Sequence, residues 1–100
     1  MKNKFDIPKT QLIELAKNHN LKELALFGSV LTAEFGTKSD IDVLIEFEPN
    51  AKASLFDLVE IKDELELIFK RKVDVVEKTG LRNPFRKKAI LEKREVLYAA

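Results

Sequence analysis

The chain is poor in the residues that mark several common protein classes. It has 100 residues and no cysteine, which excludes the disulfide framework of small secreted domains. Its single histidine, His19, has no cysteine or second histidine with which to share a metal ion, so we expect it to be structural. No apolar run is long enough to cross a membrane, and the first residues lack the apolar stretch of a secretory signal. These absences predict a single domain over residues 1–100 with a cytoplasmic location and no membrane partner.

The charge is nearly balanced in total but unevenly distributed along the chain. The net charge is +1, yet residues 1–69 carry 8 basic and 13 acidic side chains, whereas residues 70–100 carry 10 and 4. The basic end is either a solvated helix face, a surface for an acidic partner, or a surface for ligand phosphates. Its most basic segment contains Arg82, Arg86, Lys87 and Lys88. Direct binding of nucleic acid is the weaker interpretation, because the chain has no tryptophan and one tyrosine to stack on bases.

Helical and strand patterns alternate along the sequence. Apolar spacing and start signals predict helices over 8–19, from Ser54 to about 69, and over 84–93. Strands are predicted over 24–27, 40–47 and 72–77, followed by a short packed segment at 96–98. The order predicts an α/β (α+β) fold, a small parallel or mixed sheet of three to four strands with helices packed against it.

The second helix carries two clear patterns. Asp57, three residues after Ser54, predicts a variant of the capping box. A wide apolar stripe is predicted to face the core. Its members are Leu55, Leu58, Val59, Ile61, Leu65, Ile68 and Phe69.

Gly28 and Ser29 follow the first strand and predict a tight turn. We expect Ser29 to be the N-cap of a short helix through about Phe35, with Gly36 ending that helix in a left-handed conformation. A glycine lets the backbone approach a ligand closely, and free N–H groups at a helix start favour a phosphate. A Gly-Ser turn before a helix also arises for purely structural reasons.

Two aspartates begin the second strand. Asp40 and Asp42 lie two residues apart, so their side chains project from the same face, whereas Ile41 points to the other. Asp74 is similarly out of phase with the valines of the next strand and is the natural third carboxylate. Carboxylates so close together repel each other, and Mg²⁺ is the ion that suits oxygen ligands combined with substrate phosphates. A strand cap at Asp40 and an arginine partner for Asp42 are the structural alternative.

The two features together predict phosphoryl or nucleotidyl transfer assisted by a metal ion. The spacing Gly28-Ser29, ten residues, Asp40-Ile41-Asp42 resembles the Gly-Ser-x10-Asp-x-Asp signature of the DNA polymerase β-like nucleotidyltransferase superfamily, and most closely its minimal nucleotidyltransferase branch. The stretches "LALFGSVL", "SDIDVLIEFEPNAKASLFDLVEIKDELE", "RKVDVV" and "ILEKREVLYAA" are similar to that branch as well, so the resemblance covers nearly the whole chain.

The resemblance implies a polymerase β-like fold and a role for each motif residue. Gly28 and Ser29 would hold the triphosphate of ATP. Asp40, Asp42 and Asp74 would be the catalytic carboxylates and would bind two Mg²⁺ ions, with Asp74 also helping to activate the attacking hydroxyl. AMP would be transferred to that hydroxyl and pyrophosphate released.

The resemblance also implies a partner. Members of this branch are antitoxins of HEPN/MNT toxin–antitoxin modules, which adenylylate a tyrosine of a HEPN-domain toxin, so a homo- or hetero-oligomer is expected. Many members have arginine and often glycine where this chain has Thr32 and Ala33. The alternative function is therefore an antitoxin that neutralises its partner by binding alone.

Overall fold

The computed structural model describes residues 7–32, 36 and 39–100 and contains a four-stranded sheet. The strand order is β3-β2-β1-β4; β2 and β3 are parallel, and the other two pairs are antiparallel. The helices and strands are α1 (Lys9–Asn18), β1 (Leu21–Phe27), β2 (Ile41–Phe47), α2 (Leu55–Phe69), β3 (Val73–Glu77), α3 (Pro84–Lys93) and β4 (Glu95–Ala99). This arrangement confirms the predicted mixed sheet, and the packed segment at 96–98 is its fourth strand.

One face of the sheet carries α1 and α2 and most of the core. Leu24 and Leu26 of β1 and the odd-numbered residues of β2 point to this face, where they pack against Leu12 and Leu65 of the two helices. The period of two along each strand separates these residues from their neighbours, which point to the opposite face. The α1–α2 face therefore holds the larger apolar cluster.

The start of α2 is fixed by the predicted capping box. The backbone N–H of Ser54 donates to Asp57 Oδ2 at 2.6 Å, and the Ser54 side chain accepts from the backbone of Asp57. These bonds satisfy backbone donors that the first helical turn would otherwise leave unpaired. The bond from the Ser54 backbone N–H lowers the pKa of Asp57 most, followed by one that the Ser54 hydroxyl donates to Asp57 Oδ2 at 3.1 Å.

The opposite face of the sheet is covered by α3 and is more open. A smaller cluster joins Ala25 and Phe27 of β1 and Leu44 of β2 to Ile90 of α3 and Leu81 before it. Ile90 contributes the buried apolar side chain of α3. The carboxylates predicted from the sequence lie on this second face.

Two predictions about the turn after β1 are wrong. A 3₁₀ helix occupies Gly28–Leu31, so Ser29 lies inside it and is not its N-cap. Thr32 is extended and ends it, whereas Phe35, the predicted end, lies outside the described residues. The left-handed glycine is Gly28, with φ +79°, and not Gly36.

The predicted apolar stripe of α2 is only partly buried. Ile61, Leu65 and Phe69 belong to the core, but Leu55 is 75% exposed and Val59 52% exposed. With Phe56 and Leu67 they leave an apolar outer surface on this helix. In the part of the chain that the structure describes, no helix has the length and apolarity that a membrane span requires.

Candidate functional site

The register of the sheet brings two predicted carboxylates side by side. Asp42 of β2 is paired with Asp74 of the parallel strand β3, and on its other side with Phe27 of β1. Paired residues on neighbouring strands project from the same face. Asp40 comes one residue before β2 and continues the same alternation. The three aspartates therefore lie together at the edge of the α3 face where β1 ends.

Gly28 lies directly against the Asp42 carboxylate. A Cβ atom placed on Gly28 would fall on Asp42 Oδ2 and lie 3.1 Å from Asp42 Cγ. Gly28 also has φ +79°, a left-handed conformation that other residues adopt at a cost. Both observations require glycine at this position, because a side chain would displace the carboxylate and strain the turn.

Ser29 follows in the first turn of the 3₁₀ helix. Its backbone carbonyl accepts from both the N–H and the hydroxyl of Thr32, each at 2.9 Å. These bonds close the turn. The Ser29 hydroxyl itself forms no hydrogen bond within the described ranges 7–32, 36 and 39–100. It remains available to a ligand next to Gly28.

The chain before β2 is held by Arg71, at the start of the segment that leads into β3. Arg71 Nη1 donates to the carbonyl oxygens of Gly36 at 2.9 Å and Ser39 at 3.2 Å. The backbone N–H of Ile41 donates to Lys72 O at 3.0 Å. These bonds tie the residues on either side of Asp40 to the chain that leads into β3, so they fix the backbone at Asp40.

The electrostatics of the site are unbalanced. Burial raises the pKa of the Asp42 carboxyl above its ordinary value, and repulsion from Asp74 and then Asp40 raises it further. Arg86, in the first turn of α3, lowers that pKa and offsets part of the effect. The Asp42 carboxyl thus has two other carboxylates and one guanidinium among the charges that shift its pKa. An additional cation would relieve the repulsion among these carboxylates.

A second charged cluster lies on the same face, four residues further along β1 and β2, beyond the Ala25–Leu44 pair. Lys78 Nζ contacts Glu46 Oε1 at 3.4 Å and Glu23 Oε1 at 4.0 Å, and Arg94 Nε donates to Glu23 Oε2. We call Glu23, Glu46, Lys78 and Arg94 the balanced cluster, because two carboxylates face two basic groups. Glu23 is 8% exposed, so its pairing is a requirement of burial.

The tightest set of metal-capable side chains in the described ranges is elsewhere. Ligand atoms of His19, Asp57 and Glu60 all lie within 4.8 Å of one another. His19 Nε2 is within 2.8 Å of Glu64 Oε2, and Asp57 already accepts the capping bonds from Ser54. These contacts support the structural role predicted for His19, which joins the end of α1 to α2.

Residues 9–97 match a family described as the nucleotidyltransferase domain. The chain belongs to this nucleotidyltransferase family. A protein adenylyltransferase of Thermococcus cleftensis, MntA, is 33% identical over 85 residues, which are 85% of this chain and 81% of the relative. MJ1379 of Methanocaldococcus jannaschii, named as a candidate protein adenylyltransferase, is 38% identical over 78 residues, 78% of each chain.

Solved structures agree on the fold. A candidate minimal nucleotidyltransferase is 29% identical, with a TM-score of 0.74 over 87% of this chain and 86% of its own. A chain from a toxin–antitoxin crystal structure with AMP-PNP is 18% identical, with a TM-score of 0.75 over 94% of this chain and 75% of its own. The resemblance to minimal nucleotidyltransferases is confirmed, as are the fold class and the enzyme class.

The structure brings together Gly28, Asp40, Asp42 and Asp74, with Ser29 adjacent to Gly28. Their roles in binding and catalysis stay predictions. The sequence pattern did not single out Arg71 as the residue that holds the chain before Asp40. It did not separate Arg86 from the other basic residues around it. Neither role has a local signal in the sequence. The carbonyls that Arg71 binds, and the Asp42 carboxyl whose pKa Arg86 lowers, belong to residues more than thirty positions away.

Proposed function

We propose that this nucleotidyltransferase transfers AMP from ATP to a hydroxyl group of a partner protein and thereby acts as an antitoxin. The pairing of Asp42 with Asp74, next to Gly28 and Asp40, is the observation that carries the proposal. The names of the curated relatives, which are protein adenylyltransferases, support a protein as acceptor. Use of ATP also fits the predicted cytoplasmic location.

The carboxylates fit a divalent metal by their chemistry. Asp40, Asp42 and Asp74 supply only oxygen ligands, and their mutual repulsion exceeds what Arg86 offsets. Such a set suits Mg²⁺, which binds a few carboxylates and takes its other ligands from water and substrate phosphates. When bound, Mg²⁺ would neutralise phosphate charge during transfer. We assign the three aspartates as its ligands, and two ions as the number that the family resemblance implies.

The remaining residues would place the substrate. Gly28 would let the triphosphate approach the backbone, and the Ser29 hydroxyl would donate a hydrogen bond to a phosphate oxygen. Asp74 would orient the acceptor hydroxyl and take its proton as the oxygen attacks the α-phosphorus. The bond from that phosphorus to the β-phosphate oxygen would break, releasing pyrophosphate.

We infer that the acceptor is a tyrosine of a HEPN-domain toxin. One solved structure is the complex of a tri-AMPylated Shewanella oneidensis HEPN toxin with an MNT antitoxin. A chain of this complex has the same fold as the present protein. It is 17% identical, with a TM-score of 0.66 over 92% of this chain and 70% of its own. Exposed large apolar side chains support a protein partner in the present case. They are Leu55, Phe56, Val59, Leu67, Phe85 and Val96.

The proposal is tested by label transfer. The protein is purified with the product of the neighbouring gene and incubated with Mg²⁺ and ATP labelled at the α-phosphate. We expect label on the partner, lost when its tyrosines are replaced by phenylalanine. Asp42→Asn should lower the rate by roughly 10²- to 10³-fold, the size seen when one group that stabilises transition-state charge is removed.

Glu46→Gln is the matched control, since Glu46 lies on the same strand and the same face but belongs to the balanced cluster. It should retain transfer. Equal transfer by the wild type and Asp42→Asn would contradict the assignment of the aspartates. If the protein neutralises its partner without any label transfer, and calorimetry detects no Mg²⁺-dependent binding of ATP, the binding-only alternative is correct.

A further inference from the structure

The helix α3 lies along β1 and β2 in a defined alignment. Ile90 of α3 packs with Ala25 and Leu44, which are partners in the β1–β2 register. Arg94, four residues later, donates to Glu23 of β1, and Glu23 is the partner of Glu46. Positions four apart lie on one helix face. Each turn of α3 therefore covers the next pair of residues along the two strands.

Extending this alignment by one turn toward the N-terminus leads from Ile90 to Arg86. The pair of residues at this level of the β1–β2 register is Phe27 and Asp42. Asp42 is paired in turn with Asp74 of β3. Arg86 thus projects toward the row of carboxylates. The lowering of the pKa of Asp42 by Arg86 agrees with this position.

The two arginines at the ends of this alignment differ in their contacts. Arg94 forms an ion pair with Glu23 and donates to the carbonyl of Leu91. Arg86 is exposed, and its side chain forms no hydrogen bond or ion pair within 4.0 Å among the described residues. Its backbone is nevertheless fixed, because Asn83 Oδ1 accepts from the Arg86 N–H at 3.2 Å. Arg86 thus acts on the Asp42 carboxyl through its charge without forming an ion pair with it.

We propose that Arg86 binds the triphosphate of the nucleotide, with its guanidinium donating to phosphate oxygens held between α3 and the Gly28-Ser29 turn. This inference rests on the proposed function. A guanidinium matches the geometry of phosphate oxygens and makes strong, charge-assisted bonds to them. The same inference distinguishes Arg86 from Lys88, which lies two residues away on another face of the helix and is exposed.

The test is calorimetric binding in Mg²⁺ of an ATP analogue whose link between the α and β phosphates cannot be cleaved. Wild type is compared with Arg86→Gln, Arg86→Lys and the control Lys88→Gln. We expect Arg86→Gln to weaken binding on the order of 10- to 100-fold, the size of one or two charge-assisted hydrogen bonds. The affinity of Arg86→Lys should lie between those of wild type and Arg86→Gln, and the affinity of Lys88→Gln should equal that of wild type.

Two further readouts separate phosphate binding from other roles. Arg86→Gln should bind tripolyphosphate more weakly than wild type by a similar factor, because tripolyphosphate has the three phosphates of ATP without the nucleoside. Without ligand, the melting temperature of Arg86→Gln should stay within about 3 °C of wild type, as for an unpaired surface residue. A loss of analogue binding with unchanged tripolyphosphate binding would overturn the inference.

Equal affinity of wild type and Arg86→Gln for the analogue would also overturn the inference, while leaving the proposed function intact. If wild-type protein itself binds neither the analogue nor tripolyphosphate, the proposed function fails and takes this inference with it. The two failures are therefore distinguishable by the behaviour of the wild type alone.

Discussion

The two charged clusters under α3 share strand β2 yet differ in charge balance. Beneath the end of the helix, Glu23 and Glu46 meet Lys78 and Arg94. Beneath its start lie Asp40, Asp42 and Asp74, where Asp74 and Asp40 raise the pKa of Asp42 and Arg86 lowers it. We call this second group the acidic cluster. Removing one partner of a buried, paired carboxylate destabilises a fold, whereas carboxylates that repel one another destabilise it while they are present and are typical of functional sites.

One face of the sheet thus carries a cluster that we expect to affect stability and another that we expect to affect function. Both clusters contain acids that alternate with apolar residues along β2, so the alternation alone does not distinguish them. The partners do, and these come from α3 and from the segment after β3. The balanced cluster should therefore respond to mutation through stability, and the acidic cluster through nucleotide binding and transfer.

The largest effect on stability is expected from Arg94→Gln. This change removes the closest partner of Glu23, which is 8% exposed, and leaves Lys78 at 4.0 Å. We expect a loss of about 2 to 3 kcal/mol in the free energy of unfolding, measured by urea denaturation. Arg86→Gln is the matched control and should change it by less than about 0.5 kcal/mol. If both variants lost the same free energy of unfolding, the two clusters would not differ in the pairing of their charges.

A smaller loss is expected from Gly28→Ala. The new Cβ would fall on Asp42 Oδ2, and alanine would have to adopt φ +79°. The left-handed conformation alone costs about 1 to 2 kcal/mol, measurable by the same denaturation. Gly80→Ala is the control, since a Cβ on Gly80 meets no atom within 4 Å. Nucleotide binding should also weaken in Gly28→Ala and not in the control; a fully active Gly28→Ala would refute the close approach to Asp42.

The smallest effect is a gain of stability from Asp42→Asn. The pKa of Asp42 is raised in the folded protein, first by burial and then by Asp74 and Asp40, so ionisation of Asp42 destabilises the fold. We expect a gain of less than about 1 kcal/mol at neutral pH, because solvent screens the charge of a carboxyl that is only partly buried. Loss of stability in this variant would mean that Asp42 is favourably paired.

The pH dependence gives the sign of that effect independently. Below the ordinary pKa of 3.8, Asp42 is protonated and does not lower the free energy of unfolding of the wild type. As the pH rises through the raised pKa of the folded state, Asp42 ionises and the wild type loses stability. The advantage of Asp42→Asn should therefore grow as the pH rises through this window and then level off. Denaturation curves at several pH values check this, and an advantage that shrinks with rising pH would contradict it.

Local signals in the sequence predicted most of the elements. Ser54 and Asp57 form the expected capping box, and α3 runs over Pro84–Lys93 as predicted. The alternation of Asp40 and Asp42 with aliphatic residues placed both aspartates on one face. These features depend on periods and caps within a few residues of each other, so they can be seen in the sequence.

Other features depend on contacts between distant segments. Gly28 is left-handed and lies against Asp42, whereas a Cβ on Gly36, the glycine expected in that conformation, would meet no atom of the described residues within 4 Å. Leu55 and Val59 fit the apolar period of α2 but are exposed, since α2 buries only part of its surface on the sheet. The separation of Arg86 from its basic neighbours follows from the register of β1 and β2 under α3. No local pattern carries this information.

Thermal unfolding with and without Mg²⁺ and the non-cleavable ATP analogue tests the functional difference between the clusters most directly. At a ligand concentration about 100 times the dissociation constant, wild type should gain about 2.7 kcal/mol. Glu46→Gln, in the balanced cluster, should show a gain of similar size. Asp42→Asn should start from a higher melting temperature and gain little or nothing. A gain in Asp42→Asn equal to that of wild type would show that the acidic cluster does not bind the metal and its nucleotide.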